Sequence, residues 1–173
     1  MGMQPFEEIE KQYEQEDPWG YKTNPSDLQR RKILWGISFA YGEGDGFDKF
    51  IGFKRCLDIG AGEGWITQGY PALEVCGLEI SNQAAERFPN NVKRVVAPEG
   101  DYDLVCATGI FYPHYNWPFF MELIQRHASN IVIVSSIEDW EHECVNKIGE
   151  ELFRATYPYR EYKQRTRVFR VKR

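Results

Sequence analysis

The sequence predicts an α/β protein whose doubly wound sheet carries helices on both faces. The stretch RCLDIGAGEG at 55–64 joins a short apolar run to a turn of three glycines, after which a helical pattern begins. Further apolar runs of strand length alternate with helical patterns. The run NIVIVS at 130–135 is continuously apolar, which is typical of a strand covered on both faces.

Apolar periodicity and turn residues define the elements in order. A polar helix is predicted over 1–17, and DPWGY at 17–21 ends it because proline and glycine interrupt helices. A second helix is predicted from an N-cap at Ser26 or Asp27 to Tyr41, followed by a loop at 42–46. The remaining strands are predicted at 55–59, 73–79, 92–96, 102–107, 130–135, 157–163 and 165–172, and the remaining helices at 64–69, 81–87, 118–127 and 138–154.

The glycine turn has a spacing that differs from the G-x-G-x-x-G of dinucleotide folds. Its pattern is G-x-G-x-G, with Asp58 two residues before the first glycine and Trp65 where the last dinucleotide glycine would lie. Glu79 ends the second predicted strand 21 positions after Asp58, close to the spacing of about 20 residues expected for a ribose-binding acid. A carboxylate accepts hydrogen bonds from both ribose hydroxyls, so these residues predict a nucleoside-containing cofactor.

This motif resembles motif I of the class I S-adenosylmethionine-dependent methyltransferases. The resemblance covers the chain from about residue 17, and DPWGYKTNPSDLQRRK at 17–32 is similar to the N-terminal segment of nodulation protein S type N-methyltransferases. It implies a Rossmann-like sheet in the order 3-2-1-4-5-7-6 with the last strand antiparallel. It also implies S-adenosyl-L-methionine as the cofactor and a small-molecule or sugar acceptor, with an amine nitrogen as one candidate atom.

The resemblance assigns cofactor-binding roles to particular residues. Asp58 would meet the methionine amino group or else cap the turn; Glu79 would bind the ribose; and Ile80 would cover an adenine face or else join the core. Since no structural partner for Glu79 is predicted, its neutralisation is expected to leave the cofactor-free protein equally stable. Further implied contacts come from Gly60, Ala61, Gly62, Glu99, Ala107, Thr108 and Trp19, with Trp19 and Tyr21 forming either a lid or a staple against the sheet.

The loop after the fourth predicted strand is the candidate acceptor site, because ligands of such sheets bind beyond the strand carboxyl ends. Tyr112, His114 and Tyr115 are the candidate catalytic residues there. Aromatic rings shape a pocket, and a histidine accepts a proton near neutral pH, although an exposed loop histidine explains His114 equally well. His127 and His142 are expected on helix surfaces. The chain contains no N/D-P-P-Y/F motif, which disfavours a nucleic-acid substrate.

Composition sets the outer bounds. A chain of 173 residues predicts one domain, with an N-terminal helical segment at 1–41 and a core at 54–173. The net charge of −5 disfavours a nucleic-acid binder, although residues 154–173 are basic and form either a charged edge hairpin or a surface for an anionic partner. No apolar run is long enough for a membrane span. The four cysteines form no C-x-x-C pair, which predicts a cytoplasmic protein without a metal site.

Two other functions remain open at this point. One is a different nucleotide-binding Rossmann enzyme, such as a reduced NAD-dependent enzyme. The other is a methyltransferase-like binding module without turnover. The sequence predicts neither the acceptor atom nor the oligomeric state.

Overall fold

A computed structural model describes residues 4–42 and 52–171. Two helices precede the sheet, α1 (Phe6–Gln12) and α2 (Pro25–Tyr41). The predicted N-cap of α2 is wrong: Asn24 caps the helix by accepting a hydrogen bond from the Ser26 N–H, with Pro25 in the first turn. Residues 1–3 of the first predicted helix, residues 43–46 of the predicted loop and residue 172 of the last predicted strand lie outside the described residues.

The first helix is also shorter than predicted, because the chain turns after Gln12 instead of continuing to residue 17. Asp17 adopts a left-handed conformation with φ of 49°, which no regular helix accommodates. Its carboxylate accepts hydrogen bonds from the backbone N–H groups of Tyr21 (2.6 Å) and Lys22 (2.9 Å). This local turn brings the chain back toward the sheet.

The sheet has seven strands in the order 3-2-1-4-5-7-6, which confirms the predicted topology. The first five strands run parallel, and β7 is antiparallel to both β5 and β6. The carboxyl ends of β1, β2 and β4 therefore meet at one edge. The strands are β1 (Phe53–Ile59), β2 (Ala72–Leu78), β3 (Val92–Val95), β4 (Tyr102–Thr108), β5 (Ala128–Ile137), β6 (Glu150–Tyr159) and β7 (Tyr162–Arg170), and the remaining α-helices are α3 (Asn82–Glu86) and α4 (Trp117–His127).

The core lies on both faces of the sheet, because side chains alternate along each strand. Leu57 of β1 packs on one face in the same cluster as Ile124 of α4. Cys56 packs on the other face with Leu34 of α2. All four cysteines are buried and unpaired, as small apolar side chains of the core. Within the described residues, no helix is long and apolar enough to cross a membrane.

The helix predicted at 64–69 is wrong, since only a 3₁₀ turn forms at Thr67–Gly69. Trp35 of α2 occupies the space that a crossover helix would need: a Cβ on Gly69 would lie 2.0 Å from its ring. The Trp35 indole N–H also donates to the Ile66 carbonyl oxygen at 2.7 Å, taking an acceptor that an α-helix would use. Helix α2 therefore replaces the expected crossover helix on this face.

The helix predicted at 138–154 is also wrong. The chain forms two 3₁₀ turns, at Glu138–Trp140 and Glu143–Lys147, and then enters β6 at Glu150. The hairpin turns at residues 160–161, not near 164, because Gln164 is fully buried in β7 and donates to the Ser135 hydroxyl on β5 at 3.0 Å. Cross-strand pairing overrides the local helical pattern here.

Candidate functional site

A cavity of about 1510 Å³ lies at the carboxyl ends of β1, β2 and β4. The glycine turn, the residues after β2 and the loop after β4 form its walls, and the N-terminal segment covers it. This is the position at which doubly wound sheets bind ligands. The predicted site residues that line it are Trp19, Asp58, Gly60, Ala61, Gly62, Glu79, Ile80, Thr108, Tyr112, His114 and Tyr115.

Two predicted contacts, Glu99 and Ala107, do not line the cavity. Glu99 is exposed, and its carbonyl oxygen accepts a hydrogen bond from Arg55 near the amino end of β1 (3.0 Å), at the opposite edge of the sheet. Ala107 is fully buried within β4, between its neighbours on β1 and β5. Glu99 therefore lies away from the cavity, whereas the contact implied for Ala107 is made through its backbone carbonyl oxygen and stays a prediction.

Gly60 and Gly62 of the glycine turn each combine a positive φ with a close neighbouring side chain. Gly60 has φ of 73° and Gly62 has φ of 57°, both in the left-handed region. A Cβ on Gly60 would lie 2.5 Å from the Ile110 Cγ2, and a Cβ on Gly62 would lie 3.0 Å from the Tyr13 hydroxyl. The backbone N–H groups of Gly60 and Ala61 both donate to the Leu78 carbonyl oxygen, at 2.8 and 3.1 Å, so the turn is fixed against β2.

Asp58 is the most buried acid of the site, with 1% of its surface exposed. Its Oδ2 accepts a hydrogen bond from the Thr67 hydroxyl at 2.6 Å, while Oδ1 has no partner among the described residues. Burial raises the pKa of Asp58 to about 7, although the Thr67 bond acts in the opposite direction. A cationic or donor group entering the cavity would satisfy Oδ1.

Glu79 is tied to the protein itself, contrary to the prediction that it has no structural partner. The Gly62 N–H donates to Oε2 at 2.8 Å, and the Ser81 N–H donates to Oε1 at 2.9 Å. Burial raises the pKa of Glu79, and these two backbone bonds oppose the rise. Each carboxylate oxygen has a further lone pair, so Glu79 orders the glycine turn and can still accept from a ligand.

The N-terminal segment closes the cavity through polar contacts at several points. The Asp17 N–H donates to Glu63 of the glycine turn at 2.9 Å, and Arg87 after α3 pairs with the same carboxylate at 2.8 Å. The Gln4 N–H donates to the His114 carbonyl oxygen at 3.1 Å. The segment thereby bridges both sides of the cavity.

Three aromatic rings of this segment line the cavity. Tyr13 meets Trp19 edge-on at a centroid distance of 5.0 Å, and Trp19 stacks on Tyr21 at 5.6 Å. Burial raises the pKa of Tyr13, and the nearby Glu79 carboxylate raises it further, so its hydroxyl is a hydrogen-bond donor. These rings form an aromatic cover along one side of the cavity.

The loop after β4 forms an aromatic wall. His114 lies 4.3 Å from the Tyr115 ring and stacks with Tyr112 at 5.8 Å. The Tyr112 hydroxyl accepts from the Ile137 N–H at 3.1 Å, and burial raises the pKa of Tyr112 to about 12. Burial also raises the pKa of Tyr115. Both phenols are therefore neutral at physiological pH.

Several cavity residues are not among those predicted from the sequence, and Arg30 is the most informative of them. Arg30 lies on α2, lines the cavity and is only 6% exposed. Asn82 and Arg94 lie at the mouth and hydrogen-bond to each other at 2.5 Å. The apolar pattern of α2 does not predict that Arg30 is buried, because the β6–β7 turn that covers Arg30 comes from the other end of the chain.

The two remaining histidines lie outside the cavity. His127 is buried instead of lying on a helix surface, because its Nδ1 is 2.8 Å from the Gly100 carbonyl oxygen. His142 precedes a 3₁₀ turn, where its Nδ1 accepts from the Cys144 N–H, and it stacks on Trp117 at 4.1 Å. Among the described residues, no group of three or more acids, histidines and cysteines could hold a metal.

Comparison with solved structures identifies the fold. The N-methyltransferase NodS from Bradyrhizobium japonicum WM9, in complex with S-adenosyl-L-homocysteine, superposes with a TM-score of 0.78 over 97% of this chain and 98% of that chain, at 15% identity. The magnesium protoporphyrin IX methyltransferase ChlM from Synechocystis PCC 6803, with bound S-adenosyl-L-homocysteine, gives 0.62 over 85% and 84%, at 18% identity. The chain has the class I methyltransferase fold.

The same fold also occurs in a protein named for another reaction. The [4+2]-cyclase SpnF superposes with a TM-score of 0.61 over 90% of this chain and 77% of that chain, at 13% identity. No protein-family model and no curated protein sequence matches the chain. Identities this low establish the fold, so the function must be argued from the site.

Proposed function

We propose that this protein binds S-adenosyl-L-methionine and transfers its methyl group to a small molecule. The observation that carries the proposal is the pair of buried acids, Asp58 and Glu79, on either side of the glycine turn at the strand ends. The presence of S-adenosyl-L-homocysteine in NodS and ChlM supports the choice of cofactor.

The residues of the cavity fit this cofactor part by part. Asp58 Oδ1, buried without a partner, fits the cationic amino group of the methionine end. The free lone pairs of Glu79 fit the ribose hydroxyls. Ile80, Val96 and Phe119 are exposed apolar side chains at the cavity, and they fit the flat faces of adenine. When bound, the cofactor supplies an electrophilic methyl group on a sulfonium.

The structure of the turn disfavours the dinucleotide alternative. Such folds hold a pyrophosphate at the N-terminus of the helix that follows the glycine turn. Here only the 3₁₀ turn Thr67–Gly69 follows, and the N–H groups of Gly60 and Ala61 already donate to Leu78. The Gly62 N–H likewise donates to Glu79, so these three N–H groups are used within the protein, which disfavours a pyrophosphate on the turn.

At the acceptor end, the chain positions the nucleophile and takes its proton. We assign the proton acceptor to His114 and the walls to Tyr112 and Tyr115, which hold the acceptor beside the methyl group. Trp19 and Tyr21 complete the cover. The acceptor is a small molecule or sugar, with an amine nitrogen as one candidate atom; the N-terminal segment lies along the cavity and favours an acceptor of limited size.

The basic carboxyl-terminal hairpin does not indicate an anionic partner. Arg165 pairs with Glu138, and Arg167 pairs with Glu141 and Glu151, so these charges stabilise the hairpin. This pairing, together with the net charge of −5, disfavours nucleic acid as a substrate. The cytoplasmic location and the assignment of 1–173 to one domain stay predictions.

Calorimetry with two ligands tests the cofactor assignment. We expect S-adenosyl-L-homocysteine to bind and NAD to give no comparable heat; the reverse preference would overturn the proposal. Incubation of the protein with S-adenosyl-L-methionine and panels of amines, sugars and phenols then separates an enzyme from a binding module. Formation of S-adenosyl-L-homocysteine only when an acceptor is present supports turnover. Tight cofactor binding with no product from any acceptor would favour the binding module without turnover. The cyclase SpnF shows that the fold is not confined to proteins named methyltransferases.

A further inference from the structure

Arg30 is a buried cation whose hydrogen-bonding capacity is only partly used by the protein. Its guanidinium lies between the rings of Tyr21 and Tyr159, 5.3 and 5.0 Å from their centroids. Its Nε has no hydrogen-bond partner among residues 4–42 and 52–171. The side chain lines the cavity, so the unsatisfied donor is within reach of a ligand. Buried polar groups without partners are rare in native proteins, which points to a missing acceptor.

The charges around Arg30 do not balance. Asp27, 2% exposed, lies 3.3 Å from Arg30, but its other oxygen accepts two hydrogen bonds from Arg160, at 3.0 and 2.6 Å. The Tyr159 hydroxyl also donates to Asp27, at 2.7 Å. Within the described part of the chain, Asp27 is the one carboxylate within 4.0 Å of either guanidinium. Two cations therefore share one anion.

A buried charge is tolerated when an opposite charge and hydrogen bonds compensate it. Beside Arg30, the rings of Tyr21 and Tyr159 present their faces to the cation. The Arg160 guanidinium is fixed by Asp27 and by the Trp19 carbonyl oxygen at 2.7 Å, so Arg30 is the cation left to meet a ligand. A planar guanidinium is suited to bidentate binding of a carboxylate.

We propose that Arg30 is a carboxylate-binding residue of this cavity. Two molecules could supply the carboxylate: the methionine end of the cofactor, or an acceptor that carries a carboxylate near its reacting atom. The choice between these sources rests on the proposed function, whereas the affinity of Arg30 for a carboxylate does not.

The test uses Arg30→Met, Arg30→Lys and the control Arg31→Met in the full-length protein. Arg31 is the adjacent residue, but it stacks on Trp35 and Trp65 and does not line the cavity. Binding of S-adenosyl-L-homocysteine, of 5′-methylthioadenosine, which lacks the amino-acid end, and of benzoate is measured by calorimetry. Benzoate is titrated into both the free and the S-adenosyl-L-homocysteine-loaded protein.

If the cofactor supplies the carboxylate, Arg30→Met weakens S-adenosyl-L-homocysteine binding by roughly 10- to 100-fold and leaves 5′-methylthioadenosine binding unchanged. If the acceptor supplies it, S-adenosyl-L-homocysteine binding is unchanged, but the loaded wild-type protein binds benzoate and Arg30→Met does not. Arg30→Lys retains part of the affinity in either case. Unchanged binding of all three probes in Arg30→Met overturns the proposal.

Thermal unfolding of the ligand-free variants separates binding from a structural role. Arg160 remains paired with Asp27 in Arg30→Met, so removal of the excess charge is expected to leave the midpoint unchanged or raise it. The proposal is overturned if the thermal midpoint of Arg30→Met is lowered and Arg30→Lys binds every probe like wild type. That combination would mean that Arg30 has a structural role. If wild type fails to bind S-adenosyl-L-homocysteine, the proposed function fails, and benzoate binding to the free protein still tests Arg30.

Discussion

Glu79→Gln tests the link between the glycine turn and the cofactor, and it has two separable effects. The carboxylate accepts one backbone hydrogen bond at each oxygen, from Gly62 and from Ser81. An amide keeps the size but replaces one acceptor oxygen with a donor NH₂ group. One of the two backbone N–H groups then faces a donor, and one ribose hydroxyl loses its charged acceptor.

The structure sets the size of each effect. A buried N–H without an acceptor costs about 1–3 kcal/mol. Neutralisation also removes the cost of burying a charge, which is the cause of the raised pKa of Glu79, so we expect a loss of stability of about 1–2 kcal/mol. For a chain of this length, the thermal midpoint should fall by roughly 2–8 °C. Loss of a hydrogen bond to a charged acceptor, about 1.5–3 kcal/mol, should weaken cofactor binding by roughly 10- to 100-fold.

Thermal unfolding without ligand and calorimetry with S-adenosyl-L-homocysteine measure the two effects separately. Glu74→Gln is the matched control, because Glu74 lies earlier on β2, pairs with Arg55 and does not line the cavity. Wild-type affinity in Glu79→Gln would refute the ribose assignment. An unchanged midpoint would refute the role of the carboxylate in fixing the turn, and would restore the expectation from sequence that Glu79 has no structural partner.

Two further predictions concern pH and the N-terminal segment. Burial raises the pKa of Asp58 from an ordinary 3.8 to about 7. Between about pH 4 and 7, the folded protein therefore holds a proton that the unfolded chain has lost. The stability that this group contributes falls as the pH rises through that range. Denaturant unfolding across this range should show a smaller decline in Asp58→Asn than in wild type, because the raised pKa of Glu79 contributes to the decline in both proteins. Because the ionised carboxylate is the form that binds an ammonium, affinity for S-adenosyl-L-homocysteine should rise by up to about tenfold per pH unit below 7 and level off above it, and a flat profile would argue against the contact. Hydrogen exchange around Trp19 and Tyr21 should slow when S-adenosyl-L-homocysteine is added, since their rings line the cavity, whereas unchanged exchange would leave the segment as structural packing.

The sequence alone determined the framework of the site. A strand, a glycine turn and a spaced acid are local features, fixed by conformational preferences within a few residues. Asp58 and Glu79 could be placed at one sheet edge because parallel strands align their carboxyl ends. The sheet order followed from the family resemblance and is confirmed.

Only the tertiary structure decided what surrounds that framework. Trp35 lies over Gly69 and excludes the expected crossover helix, and strand pairing converts the predicted last helix into the beginning of β6. Arg30 lines the cavity beside the β6–β7 turn, which is joined to α2 by the pair of Asp27 with Arg160, 133 positions apart. Periodicity reports which face of an element is apolar, but it carries no information about contacts between distant segments. The polarity and charge of the acceptor end depend on those contacts.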